Sequence, residues 1–340
     1  MTEVFACVAG GGTGGHTLPG RGIPRRLSLE SLRAAVGIVR GVWSGLWLVR
    51  RLRPQVVIVL GGYASVPCII GAIVWRRPMV VTEQNARASA ANRLAGRFAK
   101  ACAVPFEGTD LPRAVVTGSP VRPEILAVDR ARDRARARAA LGLPADRRVI
   151  AVFSGSLGST RVNQAVEGLA ERWRDRDDLA IRHVVGARDW DAAESEHPTA
   201  SDDAAAIDRG DPGAPRLVYQ RLRYEDHVEL LYAAADLFVG RAGGSTVAEL
   251  ATVGLGGVLV PLPIATRDHQ TANAEALVAV GAAVRVPDAE LDTDRLEGVL
   301  SPLLAEPGRL EAMATAAHVL AHPDAAARVA ELAEEHARRG

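Results

Sequence analysis

The sequence predicts an α/β protein made of two doubly wound, Rossmann-like domains. Three observations carry this. Short apolar runs alternate with helical stretches, which is the pattern of parallel strands covered by helices. Each half opens with a strand that runs into a glycine-rich turn, at residues 10–15 and again at 154–159. The length, 340 residues with 48% hydrophobic, suffices for two cores at roughly 150 residues per domain.

In the first half, strands are expected at Val4–Ala9, Val56–Leu60, Met79–Thr82, Ala101–Val104 and Ala114–Thr117. After the first glycine turn, Pro19, Gly20, Gly22 and Pro24 interrupt the chain, and no strand pattern returns until Val56. A sheet normally has about six strands, so this domain is expected to lack one or two. Residues 28–53 read as a helix: Leu29, Leu32, Val36, Val39, Trp43 and Leu46 recur mostly at helical spacing. Between Arg21 and Arg53 stand eight arginines and one acid, Glu30. Such a helix either packs on the sheet with solvated arginines or lies in a membrane interface with Trp43 and Trp47.

The turn-rich run Gly118-Ser119-Pro120-Val121-Arg122-Pro123 and the charged helix Asp129–Ala140 mark the boundary. The expected organisation is an N-terminal domain over 1–125, a linker region over 126–145 and a C-terminal domain over 146–340. In the second half, strands are expected at Arg148–Phe153, Leu179–Val184, Arg216–Tyr219, Leu237–Val239, Gly257–Val260 and Ala283–Val286, with residues 195–215 a surface loop.

Formal charge is +1, which gives no electrostatic case for nucleic acid. Three scattered cysteines without a CxxC pair argue against a disulfide framework or a zinc site. The start has no charged n-region or long apolar stretch of a signal peptide, and no apolar run reaches membrane-spanning length.

Candidate chemistry sits where strands end. The first glycine turn offers backbone amides to an anion, and His16 beside it is either a base or a cap of the turn. Gly61-Gly62-Tyr63 and Thr82-Glu83-Gln84-Asn85 follow the next two strands; turn chemistry and helix capping explain Gly62 and Asn85 equally well. In the second half, Arg241-Ala242-Gly243-Gly244-Ser245-Thr246 leads into a helix whose first amides suit a diphosphate. Glu249, one turn inside, can accept hydrogen bonds from two ribose hydroxyls or simply be an exposed helix residue. Asp268, His269, Gln270 and Asn273 open another helix and suit sugar hydroxyls.

With these residues in place the chain resembles the MurG family. The resemblance rests on GGGTGGH (10–16), GGYASVP (61–67), TEQNARASAANRLA (82–95), VTGSPVR (116–122), FSGSLGSTRVN (153–163), RAGGSTVAEL (241–250) and PLPIATRDHQTANA (261–274), in family order across both halves. It implies the GT-B arrangement of two Rossmann-like domains. It also implies an inverting transferase that moves N-acetylglucosamine from UDP-N-acetylglucosamine to the C4 hydroxyl of an undecaprenyl-diphosphate-linked N-acetylmuramoyl-pentapeptide. By resemblance, Thr13, Gly14, Ser156, Arg122, Ser245, Thr246, Glu249, Gln270 and Asn273 would meet the donor. Tyr63, Glu83 and Asn85 would line the acceptor pocket, and His16 would be the base. The resemblance implies no metal or other cofactor, and peripheral attachment at the cytoplasmic face of the cell membrane. Departures fall mostly in the first half: some tens of residues are absent after the first glycine turn, Thr82 stands for a histidine, and Val66 for a glycine. In the second half, Leu157 stands for a glutamine. Alternatives are a related transferase of specialised metabolism with another acceptor, or a catalytically impaired UDP-sugar-binding paralogue.

Overall fold

The computed structural model describes residues 6–10, 29–155, 158–190, 205–206 and 216–338. The chain forms two compact units, Met1–Ser119 with Asp324–Gly340, and Pro120–Pro323.

The first unit runs β1 (Ala6–Gly10), α1 (Leu29–Leu52), β2 (Val56–Gly61), α2 (Val66–Val74), β3 (Met79–Thr82), α3 (Ala90–Gly96), β4 (Ala101–Val104) and β5 (Ala114–Val116). The second runs α4 (Pro123–Leu126), α5 (Arg130–Ala140), β6 (Arg148–Phe153), α6 (Thr160–Arg172), β7 (Leu179–Val184), β8 (Ala205–Ala206), β9 (Val218–Leu222) and α7 (Val228–Ala234). It continues with β10 (Leu237–Gly240), α8 (Gly244–Val253), β11 (Gly257–Leu259), α9 (His269–Ala279), β12 (Ala283–Arg285), α10 (Thr293–Ala305) and α11 (Arg309–Ala317). The last helix, α12 (Ala325–Glu335), returns to the first unit.

In the first unit the strands pair in parallel in the order β1-β2-β3-β4-β5. Side chains alternate between faces along a strand. Val57 and Val59 therefore face one core, with Ile69 and Ala72 of α2 and Val81 of β3. Val56 and Val80 face the other, against Ala333 of α12. Burial on both faces is why β3 and β4 read as unbroken apolar runs, each position buried. Helices α1 and α2 approach closely at Gly45: a Cβ there would sit 2.4 Å from the carbonyl carbon and oxygen of Pro67. Among the described residues β1 pairs on one side only.

The second unit is doubly wound, in the order β12-β11-β10-β6-β7-β9-β8. Strand order reverses between β6 and β10, and ligands of such sheets bind beyond the carboxyl ends of the strands at that point. Its core is built on Ile150, Val152, Leu237 and Val239 against Val162, Val166 and Leu169 of α6. Burying one such side chain stabilises the fold by roughly 1.5–3 kcal/mol.

Three boundaries differ from the sequence reading. Residues 126–145, expected as a linker region with a charged helix, do carry that helix as α5, and the second unit holds it: Arg138 Nε donates to Ala234 O, and its Nη2 to Asp236 Oδ2 at 2.7 Å. The 195–215 stretch, expected as loop, contains β8, a two-residue strand antiparallel to β9. Strand β9 begins at Val218, later than expected, because its pairing with β7 runs from Ala180↔Val218 to Val184↔Leu222.

Candidate functional site

Strand β6 leads into a loop whose turn is built on left-handed glycines, Gly155 (φ 85°) and Gly158 (φ 76°), closed by Gly158 N donating to Gly155 O at 3.0 Å. A Cβ on Gly158 would lie 2.0 Å from Val185 O, so only glycine fits. Ser159 then caps α6, its hydroxyl accepting from Val162 N. Ser156 and Leu157 lie outside the described residues.

Next to this loop, β10 feeds α8. The N-cap, Gly243, is extended and offers no side-chain cap. The amides of Gly244, Ser245 and Thr246 are thus left to an outside acceptor, at a helix end worth about half a positive charge. Ser245 is exposed and Thr246 partly so. Arg241 ties the neighbouring loops together. Its Nη2 donates to Ser159 Oγ at 2.6 Å, and its Nη1 donates to Val260 O and Pro261 O at 3.1 Å each. Asp288 balances its charge at 2.6 Å.

Glu249 sits one turn into α8 and is 8% exposed. Tyr232 donates its hydroxyl to Glu249 Oε2 at 3.0 Å, and Arg122 approaches Oε1 at 3.4 Å. Burial pushes the Glu249 carboxyl above its ordinary range, while Tyr232 and Arg122 pull it back. On α9, Gln270 Oε1 accepts from Leu262 N at 2.9 Å, leaving its amide nitrogen without a partner among the described residues. Asn273 is fully buried and donates to Ala242 O at 3.0 Å. Ser245, Thr246, Gln270 and Asn273 thus belong to loops or helix starts tied together at the carboxyl edge of one sheet. Arg122 and Glu249 meet one turn deeper.

A buried polar chain lies beneath α6. His183 Nε2 meets Asn163 Oδ1 at 2.9 Å, and its Nδ1 meets Tyr219 Oη at 2.8 Å. Asn163 Nδ2 donates to Val185 O and Asp189 Oδ2, so Oδ1 is the acceptor and His183 carries its proton on Nε2. Burial lowers the His183 pKa to about 3, so the ring is neutral. This chain, with Thr160 donating to Asp189, fixes the start of α6.

In the first unit, Tyr63 follows β2 and is 84% exposed; Gly61 (φ 89°) and Gly62 (φ 78°) form the turn before it. Glu83 follows β3 and is buried. Its Oε1 accepts from Gln84 N, Asn85 N and Asn85 Nδ2, and its Oε2 from Ser89 N and Asn92 Nδ2. Glu83 therefore organises its own loop, and Ser89, not Asn85, caps α3. Tyr63, Glu83 and Asn85 do share the carboxyl edge of neighbouring strands. His16, Thr13 and Gly14 lie outside the described residues.

Tyr232, Asn92 and the His183–Asn163–Asp189 chain escaped the sequence reading. One signal was available: His183 is a polar residue in LAIRHV, a strand buried at every position.

The sequence and the fold are similar to those of known proteins. The model of the glycosyltransferase family 28 C-terminal domain matches residues 149–329, and that of the family's N-terminal domain matches 16–104. The chain is 38% identical over 313 residues to a Nocardioides protein named UDP-N-acetylglucosamine--N-acetylmuramyl-(pentapeptide) pyrophosphoryl-undecaprenol N-acetylglucosamine transferase, covering 92% of this chain and 81% of that protein. A like-named protein of Alkalilimnicola ehrlichii is 35% identical over 376 aligned positions, more than this chain has residues, covering 97% and 98%. The crystal structure of Acinetobacter baumannii MurG superposes with a TM-score of 0.70 at 28% identity, covering 94% of this chain and 82% of that one.

Proposed function

The chain belongs to glycosyltransferase family 28 and, within it, to the MurG family; from that premise we infer its reaction and the parts its residues play. It is an N-acetylglucosaminyltransferase. It transfers N-acetylglucosamine from UDP-N-acetylglucosamine to the undecaprenyl-diphosphate-linked N-acetylmuramoyl-pentapeptide, a step of peptidoglycan synthesis.

The observation that carries the donor assignment is the uncapped start of α8 beside the glycine turn before α6, at the strand-order reversal. The open start of α8 suits a diphosphate, and its amides stabilise the negative charge that develops on UDP as it leaves. In our reading Ser156, Ser245 and Thr246 meet the diphosphate, and Thr13 and Gly14 belong to the donor-binding set. Glu249, held by Tyr232 and Arg122, takes the ribose hydroxyls. Gln270 offers its free amide to the sugar, and Asn273 holds the loop that carries α8. The acceptor hydroxyl attacks the anomeric carbon and inverts it, and His16 takes its proton. Tyr63, Glu83 and Asn85 shape the acceptor side, Glu83 by ordering its loop.

No helix among the described residues is long and apolar enough to cross a membrane. We place the first unit against the cytoplasmic membrane surface through α1. Trp43 is 72% exposed, Trp47 is exposed beneath the Arg51 guanidinium, and Trp75 beneath that of Arg50. An apolar ring flanked by arginines suits an anionic interface, at about 1 kcal/mol per cation near the surface.

The test is acceptor-dependent release of UDP from UDP-N-acetylglucosamine. Release that requires the lipid-linked acceptor and is lost in His16→Ala supports the reading. UDP-sugar binding with no release under any acceptor contradicts it.

A further inference from the structure

The amino-terminal edge of the first unit's sheet, opposite the edge that carries Tyr63 and Glu83, holds a cavity of about 480 Å³. Arg76, Arg77, Lys100, His336 and Arg338 line it, with Phe98 at its side. Arg76 and Arg77 follow the end of α2, Lys100 precedes β4, and His336 and Arg338 follow α12. Arg338 is anchored by its backbone amide, which donates to Gln55 O just ahead of β2. Among the described residues none of these five side chains has a carboxylate within 4.0 Å.

Two helix carboxyl ends meet here, and each carries about half a negative charge. Four permanent cations exceed that by about three charges, far more than capping two helices requires. One further feature points to a missing partner. Arg77 Nε is buried and has no hydrogen-bond acceptor, which a folded protein rarely tolerates. Arg76 sits at φ 49°, the left-handed position after a helix where glycine is usual. Arg53 ends α1 in the same conformation (φ 46°); at Arg76 this helix end sets a guanidinium at the cavity lining.

We propose that this cavity is a second anion site that binds a phosphate group, separate from the donor site. Guanidinium forks match pairs of phosphate oxygens, and a multiply charged phosphate offsets the excess that a single carboxylate would leave. Phe98, 54% exposed, adds an apolar wall beside the anion. Both a phospholipid headgroup and a soluble phosphate present this chemistry.

The test titrates the full chain with inorganic pyrophosphate, with UDP saturating the donor site so that the second unit does not contribute. The Arg77→Gln/Arg338→Gln double variant should bind pyrophosphate at least roughly tenfold more weakly. Arg309→Gln, a surface change in the second unit, should bind as wild type does, and UDP affinity should be equal in all three. Flotation with phosphatidylcholine vesicles, with and without phosphatidic acid, separates the sources. Loss of phosphatidic-acid-dependent flotation in the double variant assigns a lipid headgroup; loss of pyrophosphate binding with flotation intact assigns a soluble phosphate. If the double variant matches wild type in both measurements, the proposal is overturned. Failure of the donor assignment would show separately, as absent UDP binding.

Discussion

Replacing Glu249 with glutamine keeps its shape and removes its charge. The carboxylate is buried, accepts from Tyr232 at 3.0 Å and faces Arg122 at 3.4 Å. A glutamine amide oxygen can still accept from Tyr232, and Arg122 is half-exposed, so losing its ion pair should cost less than about 1 kcal/mol. Folding stability should therefore barely change. Ligand binding should change more. Hydrogen bonds to a charged group are worth about 1.5–3 kcal/mol and neutral ones about 1 kcal/mol, so two ribose hydroxyls lose roughly 1–4 kcal/mol between them. UDP affinity should fall by roughly fivefold to several hundredfold. Calorimetric titration of wild type and Glu249→Gln with UDP and with 2′-deoxy-UDP reads this directly. The deoxy ligand should lose less, because it already lacks one of the hydroxyls. Unchanged UDP affinity in Glu249→Gln would mean that the carboxylate merely links Tyr232 to Arg122, and the ribose assignment would fail.

Other perturbations test neighbouring claims. His183 is held neutral, with its pKa lowered from 6.5 to about 3, so below pH 6.5 the unfolded chain binds a proton that the folded chain refuses. Stability should fall as pH drops from there toward about 3, by about 2 kcal/mol from this group at about pH 5, and His183→Gln should remove that part of the slope in urea unfolding. Glu249→Ala should cost roughly 1–3 kcal/mol of unfolding free energy, because it strands the fully buried Tyr232 hydroxyl. Gly45→Ala would press a methyl against the Pro67 backbone and should destabilise the first unit by roughly 1–3 kcal/mol in denaturant unfolding. Trp43→Ser with Trp47→Ser should abolish flotation with anionic vesicles while leaving UDP affinity in place.

Much of the fold was legible because parallel strands buried on both faces announce themselves as apolar runs. Met79–Thr82, Ala101–Val104, Arg148–Phe153 and Leu179–Val184 stand where that pattern places them. Pairing with a distant partner was not legible. β8 is two alanines made a strand by β9, and β9's own limits follow β7. The return of α12 to the first sheet was equally hidden, since an amphipathic helix shows which face it buries but not against what. At the candidate site, the glycine turn before α6 and the uncapped start of α8 were readable from small residues after strands. Glu83's role was not: its spacing suggested a pocket group, whereas five hydrogen bonds turn it inward to its own loop. Two of those bonds come from Ser89 and Asn92, whose part emerges only once α3 folds back over β3.

The transfer itself can be read from the mass of the acceptor. Incubating the purified chain with UDP-N-acetylglucosamine and the lipid-linked muramoyl-pentapeptide, then weighing the lipid product by mass spectrometry, tests it most directly. The acceptor should gain one N-acetylhexosamine, β-linked to the muramoyl C4 hydroxyl. An acceptor of unchanged mass, from protein shown to bind UDP-N-acetylglucosamine, would contradict it.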